Sequence, residues 1–283
     1  MPTRPKSLLL ALTVSLACAC ADSPGEEAPA DGDEADKSDA SSASSEGATN
    51  DGGSASATAD AATSSGPAGS ADCTGDMPAD EKDLIATFED QTVGVNPAGG
   101  WVGGFYIFND KNNDPAQTGG VQPMSRCSDG SSQFAYCSKG TGFVTWGAGF
   151  GTDLGAVDAT TMSKATVDLS AYSGISFWVI RNGASAMPAT AKLILADENT
   201  SDEGGECSNA AEATANMKCD PFTTSVPLTS SWTKQTVMFS KLKQGGWGKP
   251  VTSFTPKAVY GVQLQFAPGV AFDVCFDQLT LIR

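Results

Sequence analysis

The chain has 283 residues, with 33 acidic against 17 basic side chains and a net charge of −16. It contains no histidine, which excludes Ser-His-Asp and Cys-His nucleophile systems as well as imidazole metal sites. Nucleic acid binds basic surfaces, so a chain this acidic is expected to have no nucleic-acid partner.

The N-terminus has the pattern of an export signal, because two basic residues precede the apolar run 7–17, which is too short to span a bilayer. Small residues precede two cysteines, which resembles the lipobox of bacterial lipoproteins. We expect residues 1–20 to be a lipoprotein-type signal peptide lipidated at Cys20, or alternatively at Cys18. Losing Cys18 with the signal would leave an even number for disulfides, which favours Cys20. A secretory signal without lipid is the other alternative.

Residues 21–77 are rich in Ala, Ser and Gly and carry thirteen acidic residues against one basic residue, Lys37. With almost no large apolar side chains, this segment has too little surface to bury to offset the entropy of an ordered chain. It is predicted to be a disordered acidic linker. The protein would then be exported and held in the cell envelope, at the outer membrane or cell surface, touching the membrane through its lipid anchor only.

Residues 78–283 are predicted to form one all-β domain, because short β-rich runs recur between clusters of Gly, Pro, Asn and Asp without helical periodicity. This spacing indicates an antiparallel β-sandwich or jelly roll. The predicted strands are Leu84–Phe88, Phe105–Phe108, Gln133–Tyr136, Phe143–Trp146, Ala165–Leu169, Ile175–Ile180, Lys192–Ala196, Lys234–Phe239, Val259–Phe266 and Ala271–Ile282.

Three of these runs predict more detail. Val259–Phe266 alternates apolar and polar residues, as a strand with one face in the core requires. In Ala271–Ile282 the apolar residues alternate with polar ones, but they change from one face of the strand to the other near Asp277. This change predicts a β-bulge. Ile175–Ile180 is apolar on both faces and is predicted to be a central strand, with Trp178 in the core rather than in a ligand site.

Six cysteines fall in or next to this domain, and six cysteines allow fifteen disulfide connectivities. We favour two bridges that close short loops, Cys127–Cys137 and Cys207–Cys219, with Cys73–Cys275 tying the start of the domain to the last strand. Zinc binding is the weaker interpretation, because CxxC pairs and histidines are absent.

Several motifs in order resemble a known family of domains. The chain has DLIATFEDQT at Asp83–Thr92, VDLSAYSGISFWV at Val167–Val179, and SSWTKQTVMFSKLKQGGWG followed by VYGVQLQFAPGVAFDVCFDQLTL near the end, with the glycine-rich WGAGFG at Trp146–Gly151. This order resembles the galactose-binding-like β-jelly rolls of carbohydrate-binding modules, especially those similar to family 11 modules and the complex I intermediate-associated protein 30-like domains.

The resemblance implies a sugar-binding or scaffold domain with a structural Ca²⁺ between the first and last strands, held by oxygen ligands. Glu89, Asp90 and Asp277 match the positions of those ligands. Gln278 stands where the family usually has an Asp or Asn. Alternatively, Glu89 and Asp90 are turn residues and Asp277 belongs to the bulge.

A sugar site needs aromatic side chains that stack on pyranose rings and planar polar groups that bind hydroxyls. Trp101, Tyr106 and Trp247 are candidates because each lies next to glycines rather than within an apolar run. Gln263 and Gln265 lie on the polar face of their strand and are candidates for the hydroxyls. The alternative is that the aromatic residues cap the ends of the sandwich.

The sequence thus predicts a non-catalytic, surface-anchored lipoprotein that binds a polysaccharide, either β-glucan-like or another glycan. The first alternative is a cell-surface jelly roll that binds another protein. A carboxylate-based glycan-degrading enzyme comes third, because no spacing of acidic residues singles out a catalytic pair.

Overall fold

A computed structural model describes Cys73 and residues 77–111, 116–183 and 187–283. The predicted signal peptide with Cys18 and Cys20, and almost all of the predicted linker, lie outside the described residues. Within the described part, no helix is long and apolar enough to cross a membrane.

The described residues form two antiparallel sheets, and their only helical segments are single 3-10 turns. This confirms the predicted all-β sandwich. The strands are β1 (Leu84–Ala86), β2 (Phe105–Asn109), β3 (Ala116–Pro123), β4 (Phe134–Thr141), β5 (Ala148–Asp153), β6 (Gly174–Arg181), β7 (Thr190–Asp197), β8 (Phe222–Pro227), β9 (Thr233–Met238), β10 (Val259–Phe266) and β11 (Phe272–Ile282).

Sheet A has the strand order β3-β4-β11-β6-β9, with β1 paired to β11 beside them. The long β11 contains the predicted irregularity: its register with β6 shifts between Asp277 and Thr280, and Gln278 has a φ of 49°. The apolar strand β6 lies between β11 and β9, as its two buried faces require.

Sheet B has the strand order β2-β5-β10-β7-β8. Val262, Leu264 and Phe266 of β10 point into the core between the sheets, and the intervening side chains point outward, as the alternating pattern predicts. Aromatic pairs join the two sheets: the rings of Phe266 and Phe272 stack with centroids 4.1 Å apart, and Phe150 meets Phe276 edge-on at 5.8 Å.

The structure corrects the predicted strands where glycine residues or solvent exposure weaken the apolar pattern of the sequence. Phe143–Trp146 and Ala165–Leu169 are not strands, and the latter makes only an isolated bridge from Val167 to Val259. Three strands that the sequence did not indicate are present: β3 and β8, which are exposed edges, and β5, which is rich in glycine.

Three disulfides cross-link the domain, and one of them joins two neighbouring strands. Cys207–Cys219 is present as predicted, but the predicted pairs Cys127–Cys137 and Cys73–Cys275 are wrong, since the bridges are Cys73–Cys127 and Cys137–Cys275. The physical reason is register, because Cys137 on β4 lies directly opposite Cys275 on β11. Both side chains point away from the main core into a second apolar cluster.

That second cluster covers the outer face of sheet A. Trp178 and Trp232 pack there around the Cys137–Cys275 bridge, and the Arg126 guanidinium lies 4.7 Å from the centre of the Trp178 ring. Trp178 is therefore a packing residue, although it belongs to this outer cluster and not to the core between the sheets.

Candidate functional site

The outer face of sheet B carries an open groove whose floor consists of ordered rungs of side chains running across the strands. One rung follows the pairing Phe108–Gly149–Gln265–Lys192–Ser225, and the next follows Tyr106–Gly151–Gln263–Ile194–Thr223. Five strands spaced at about 4.8 Å make each rung about 19 Å long. The groove thus has aromatic side chains at one edge, amides in the middle and hydroxyls at the other edge.

Two glycines of β5 keep this floor flat next to the aromatic edge. A Cβ atom at Gly149 would lie 2.6 Å from a ring carbon of Phe108, and one at Gly151 would lie 2.7 Å from Cγ of Gln263. Neither neighbour could stay in place beside a larger residue. The glycines that weaken β5 as a sequence pattern therefore allow the groove side chains to lie across the strand.

The groove has two parts, with volumes of about 640 Å³ and about 780 Å³. Trp146, Trp247 and Gln265 line both parts. Each volume is within the range of about 300–1,000 Å³ that is usual for small-ligand sites.

Trp146 is 44% exposed, yet its loop is fixed by a single carboxylate. One oxygen of Asp110 accepts the backbone N–H groups of Thr145, Trp146 and Gly147 at 2.8–3.1 Å. The indole also stacks on Phe108, with ring centroids 6.1 Å apart and planes 22° apart. An exposed tryptophan held in this way loses little conformational entropy when a ligand stacks on it.

Trp247 is 53% exposed and is held by the same device on a different loop. The carboxylate of Asp220, which is 2% exposed, accepts the backbone N–H groups of Gly245, Gly246 and Trp247 at 2.6–3.1 Å. Gly246 has a φ of 82°, a conformation that favours glycine. The Asp220 side chain comes two residues before β8, so Trp247 lies on the side of the groove away from Trp146.

The two predicted glutamines are oriented by the aromatic edge. Gln263 donates from Nε2 to the Tyr106 hydroxyl at 2.9 Å, and Gln265 donates from Nε2 to the backbone carbonyl of Trp146 at 2.9 Å. Each carboxamide oxygen remains available to accept a hydrogen bond from a ligand hydroxyl.

Charged side chains gather at one end of the groove. Lys164 bonds Asp153 at 3.0 Å, lies 3.6 Å from Glu203 and sits 5.1 Å from the centre of the Tyr106 ring. Burial raises the pKa of Tyr106 by more than Lys164 lowers it. Burial alone would lower the pKa of Lys164, but Tyr106 and the hydrogen bond to Asp153 outweigh it and raise that pKa.

The structure brings four of the five predicted sugar-binding residues to this groove: Tyr106, Trp247, Gln263 and Gln265. The fifth, Trp101, is only 9% exposed and packs in the core between the sheets. Its glycine neighbours therefore reflect tight turns around a buried ring and not an exposed platform.

Sequence reasoning missed most of the groove residues, among them Trp146, Phe108 and Lys192. Trp146 carried a usable signal, because a glycine follows it just as glycines flank Trp247. Phe108 carried one as well, because it lies two residues after Tyr106 on the same predicted strand and therefore shares its face. The position of Lys192 between Gln265 and Ser225 carried none, since it depends on strand register.

The three predicted calcium ligands have protein partners of their own. Glu89 accepts the backbone N–H groups of Gln133 and Phe134, and Asp90 accepts that of Thr92 in its own turn. Among the described residues, no group of three or more Cys, Asp or Glu side chains is arranged to hold a metal ion.

Asp277 is the least suited of the three to a cation. It is buried in an ion pair of 2.8 Å with Arg126 and accepts a hydrogen bond from Ser132 at 2.7 Å. Burial raises the pKa of Asp277 by more than these two partners lower it. In the structure Glu89, Asp90 and Asp277 are thus bound by groups of the protein itself, and calcium binding stays a prediction.

No protein-family profile matches this sequence, and no curated protein matches it. Solved structures of similar fold include a family 11 carbohydrate-binding module from Clostridium thermocellum in complex with a β-1,3-1,4-mixed-linked tetrasaccharide. Its sequence is 15% identical and the TM-score is 0.43. The match covers 71% of this chain and 94% of the module.

Two others are an exo-β-agarase and the CBM22-1 xylan-binding domain from Paenibacillus barcinonensis Xyn10C. The agarase is 11% identical, with a TM-score of 0.45. The match covers 70% of this chain and 24% of the agarase chain. The xylan-binding domain has 13% identity, a TM-score of 0.36 and coverage of 71% of this chain and 96% of its own.

Proposed function

We propose that this protein binds carbohydrate without turning it over, in the groove on the outer face of sheet B. The observation that carries the proposal is the pair of exposed, carboxylate-anchored tryptophans, Trp146 and Trp247, on opposite sides of a flat polar floor.

The chemistry of this arrangement suits a sugar chain. Pyranose rings offer C–H faces that stack on the indoles, and their hydroxyls can donate to the amide oxygens of Gln263 and Gln265. Because both tryptophan loops are fixed before binding, stacking costs little ordering entropy. The length of about 19 Å suits an extended oligosaccharide rather than a single small molecule.

A catalytic role has less support from the groove. Its carboxylates Asp153 and Glu203 share Lys164, and a general acid would need a raised pKa. Burial raises the pKa of Glu203, but its hydrogen bond from Ser201 and the nearby Lys164 outweigh that and lower it. A protein partner is the other alternative, and a polar floor favours a hydroxylated ligand over an apolar interface.

The N-terminal segment gives this binding domain its proposed place. An export signal, lipidation at Cys20 and the acidic linker would hold the groove outside the membrane, where polysaccharide is found. Intact-mass measurement of the mature protein tests this, because a diacylglyceryl-modified N-terminal cysteine adds a defined mass that an ordinary secreted chain lacks.

The binding proposal is tested with a glycan array, followed by titration calorimetry on the glycan that binds best. Trp146→Ala and Trp247→Ala should each weaken affinity by about 30-fold, as expected for the central aromatic residues of a site. Val102→Ala is the matched control, because Val102 is 65% exposed and lies outside the groove.

Both tryptophan variants should keep the wild-type melting temperature within a few degrees, because the side chains are exposed. A protein that binds no glycan on the array, or tryptophan variants that bind as wild type does, would refute the proposal. Release of new reducing ends from the bound glycan would instead support the enzyme alternative.

A further inference from the structure

The two parts of the groove differ in charge. The part that holds the charged end is lined by Asp153, Asp202, Glu203, Lys164 and Lys218. The other part is lined by one charged side chain, Lys192, together with hydroxyl, amide, apolar and indole groups. The groove is therefore acidic overall at one end and carries a single cation at the other.

The lysines of the two parts also differ in their partners. Lys164 is bonded to Asp153, and Lys218 donates from Nζ to the backbone carbonyl of Ala210 at 3.2 Å. The side chain of Lys192 is exposed and has no hydrogen bond or ion pair with any described residue. Its charge is therefore available to a ligand.

The position of Lys192 on the floor is fixed by strand register. It lies on β7 directly between Gln265 of β10 and Ser225 of β8, within the part of the groove that Trp146 and Trp247 also line. A sugar stacked on either indole would thus have its substituents near an ammonium group, an amide and a hydroxyl.

We infer that Lys192 makes the groove selective for glycans bearing an anionic substituent, a carboxylate or a sulfate, on a sugar held in the part of the groove that Lys192 lines. This inference rests on the proposed carbohydrate binding. A lysine ammonium is a compact charge without the planar fork of arginine, so it accepts either anion. Asp153, Asp202 and Glu203 repel negative charge at the other end, so chains that mix acidic and neutral sugars bind better than uniformly acidic ones.

The experiment measures affinities of the full-length chain for matched pairs of oligosaccharides that differ only in the anion. One arm compares aldotetraouronic acid, a neutral xylose chain with one uronic acid, with its carboxyl-reduced form. A second arm compares neocarratetraose sulfate with its desulfated form, which separates sulfate from carboxylate recognition. Tetragalacturonate serves as the uniformly acidic chain.

We expect the anionic member of at least one pair to bind about tenfold more tightly than its neutral counterpart, which is the effect of one charge-assisted hydrogen bond. Lys192→Gln should abolish this preference, so that the two members of a pair bind with similar affinity, and Lys192→Arg should retain it. Higher salt should weaken the preference and leave neutral binding unaffected. Lys139→Gln is the control of equal charge, because Lys139 is exposed on β4 of sheet A.

The outcomes separate this inference from the proposed function. Equal affinity within both pairs, or a preference that survives Lys192→Gln, overturns the role of Lys192 and leaves carbohydrate binding intact. Binding of neutral glycans on the array without binding of either anionic member does the same. Absence of all glycan binding overturns the proposed function itself.

Discussion

Asp220→Asn is expected to weaken glycan binding although Asp220 is buried and contacts no ligand in the groove. Its carboxylate accepts three successive backbone N–H groups, one on Oδ1 from Gly245 and two on Oδ2 from Gly246 and Trp247. Asparagine has nearly the same shape but only one oxygen, and its amide nitrogen would face a donor. At least one of the three hydrogen bonds is lost, and those that remain have a neutral acceptor instead of a charged one.

Hydrogen bonds to charged groups contribute about 1.5–3 kcal/mol each, roughly twice the value for neutral ones. The Trp247 loop should therefore lose about 3 kcal/mol of local stability, enough to depopulate the binding conformation. Apparent affinity falls in proportion to the population of that conformation. The fall cannot exceed the effect of removing Trp247 itself, which is about 30-fold.

The assay is a double-mutant cycle measured by titration calorimetry, with Asp220→Asn, Trp247→Ala and the double variant. If Asp220 acts through the indole, Asp220→Asn lowers affinity in the wild-type background and has no further effect in Trp247→Ala. Asp129→Asn is the control, because Asp129 accepts N–H from Ser131 in an exposed turn between β3 and β4. Additive losses in the cycle, or wild-type affinity in Asp220→Asn, would refute the reasoning.

Three further predictions concern stability. Trp101→Ala should cost about 3–5 kcal/mol in chemical denaturation, because it empties a core site, and should leave the glycan affinity of the folded fraction unchanged; a loss of affinity without loss of stability would return Trp101 to the binding site. Replacing Cys137 and Cys275 together by alanine should cost about 2–5 kcal/mol, and a smaller loss would show that the cross-strand bridge is strained. Arg126→Met should cost about 3–5 kcal/mol because it leaves Asp277 buried without its cation, whereas the double variant with Asp277→Leu should be more stable than Arg126→Met alone; equal stability would contradict the ion-pair account.

The sequence predicted those strands whose residues alternate clearly or are apolar throughout. The bounds of β10 were predicted to the residue, and the parity slip in β11 located the bulge at Asp277, because a buried face constrains side-chain direction strongly. The edge strand β3, with the sequence AQTGGVQP, escaped because an exposed edge needs few apolar residues.

The candidate site was predicted only in part, and the reason lies in register and loop anchoring. Gln263 and Gln265 could be assigned to the outer face because strand parity is local information. The roles of Asp110 and Asp220 could not, since each holds a loop more than twenty residues further along the chain. The two wrong disulfide predictions have the same cause, because Cys137 and Cys275 are neighbours only after β4 and β11 have paired.

The two outer faces of the sandwich explain why we place the proposed binding site on sheet B. On sheet A, Trp178, Trp232 and the Cys137–Cys275 bridge form an apolar cluster that Arg126 covers, so the aromatic rings there are used for packing. On sheet B, the Cys207–Cys219 loop borders the groove instead of filling it, and Cys219 is one of the lining residues. That loop leads directly into Asp220, so the disulfide fixes the carboxylate that in turn fixes Trp247. Cross-linking thus closes one face of the domain and keeps the other open with its tryptophans already in position.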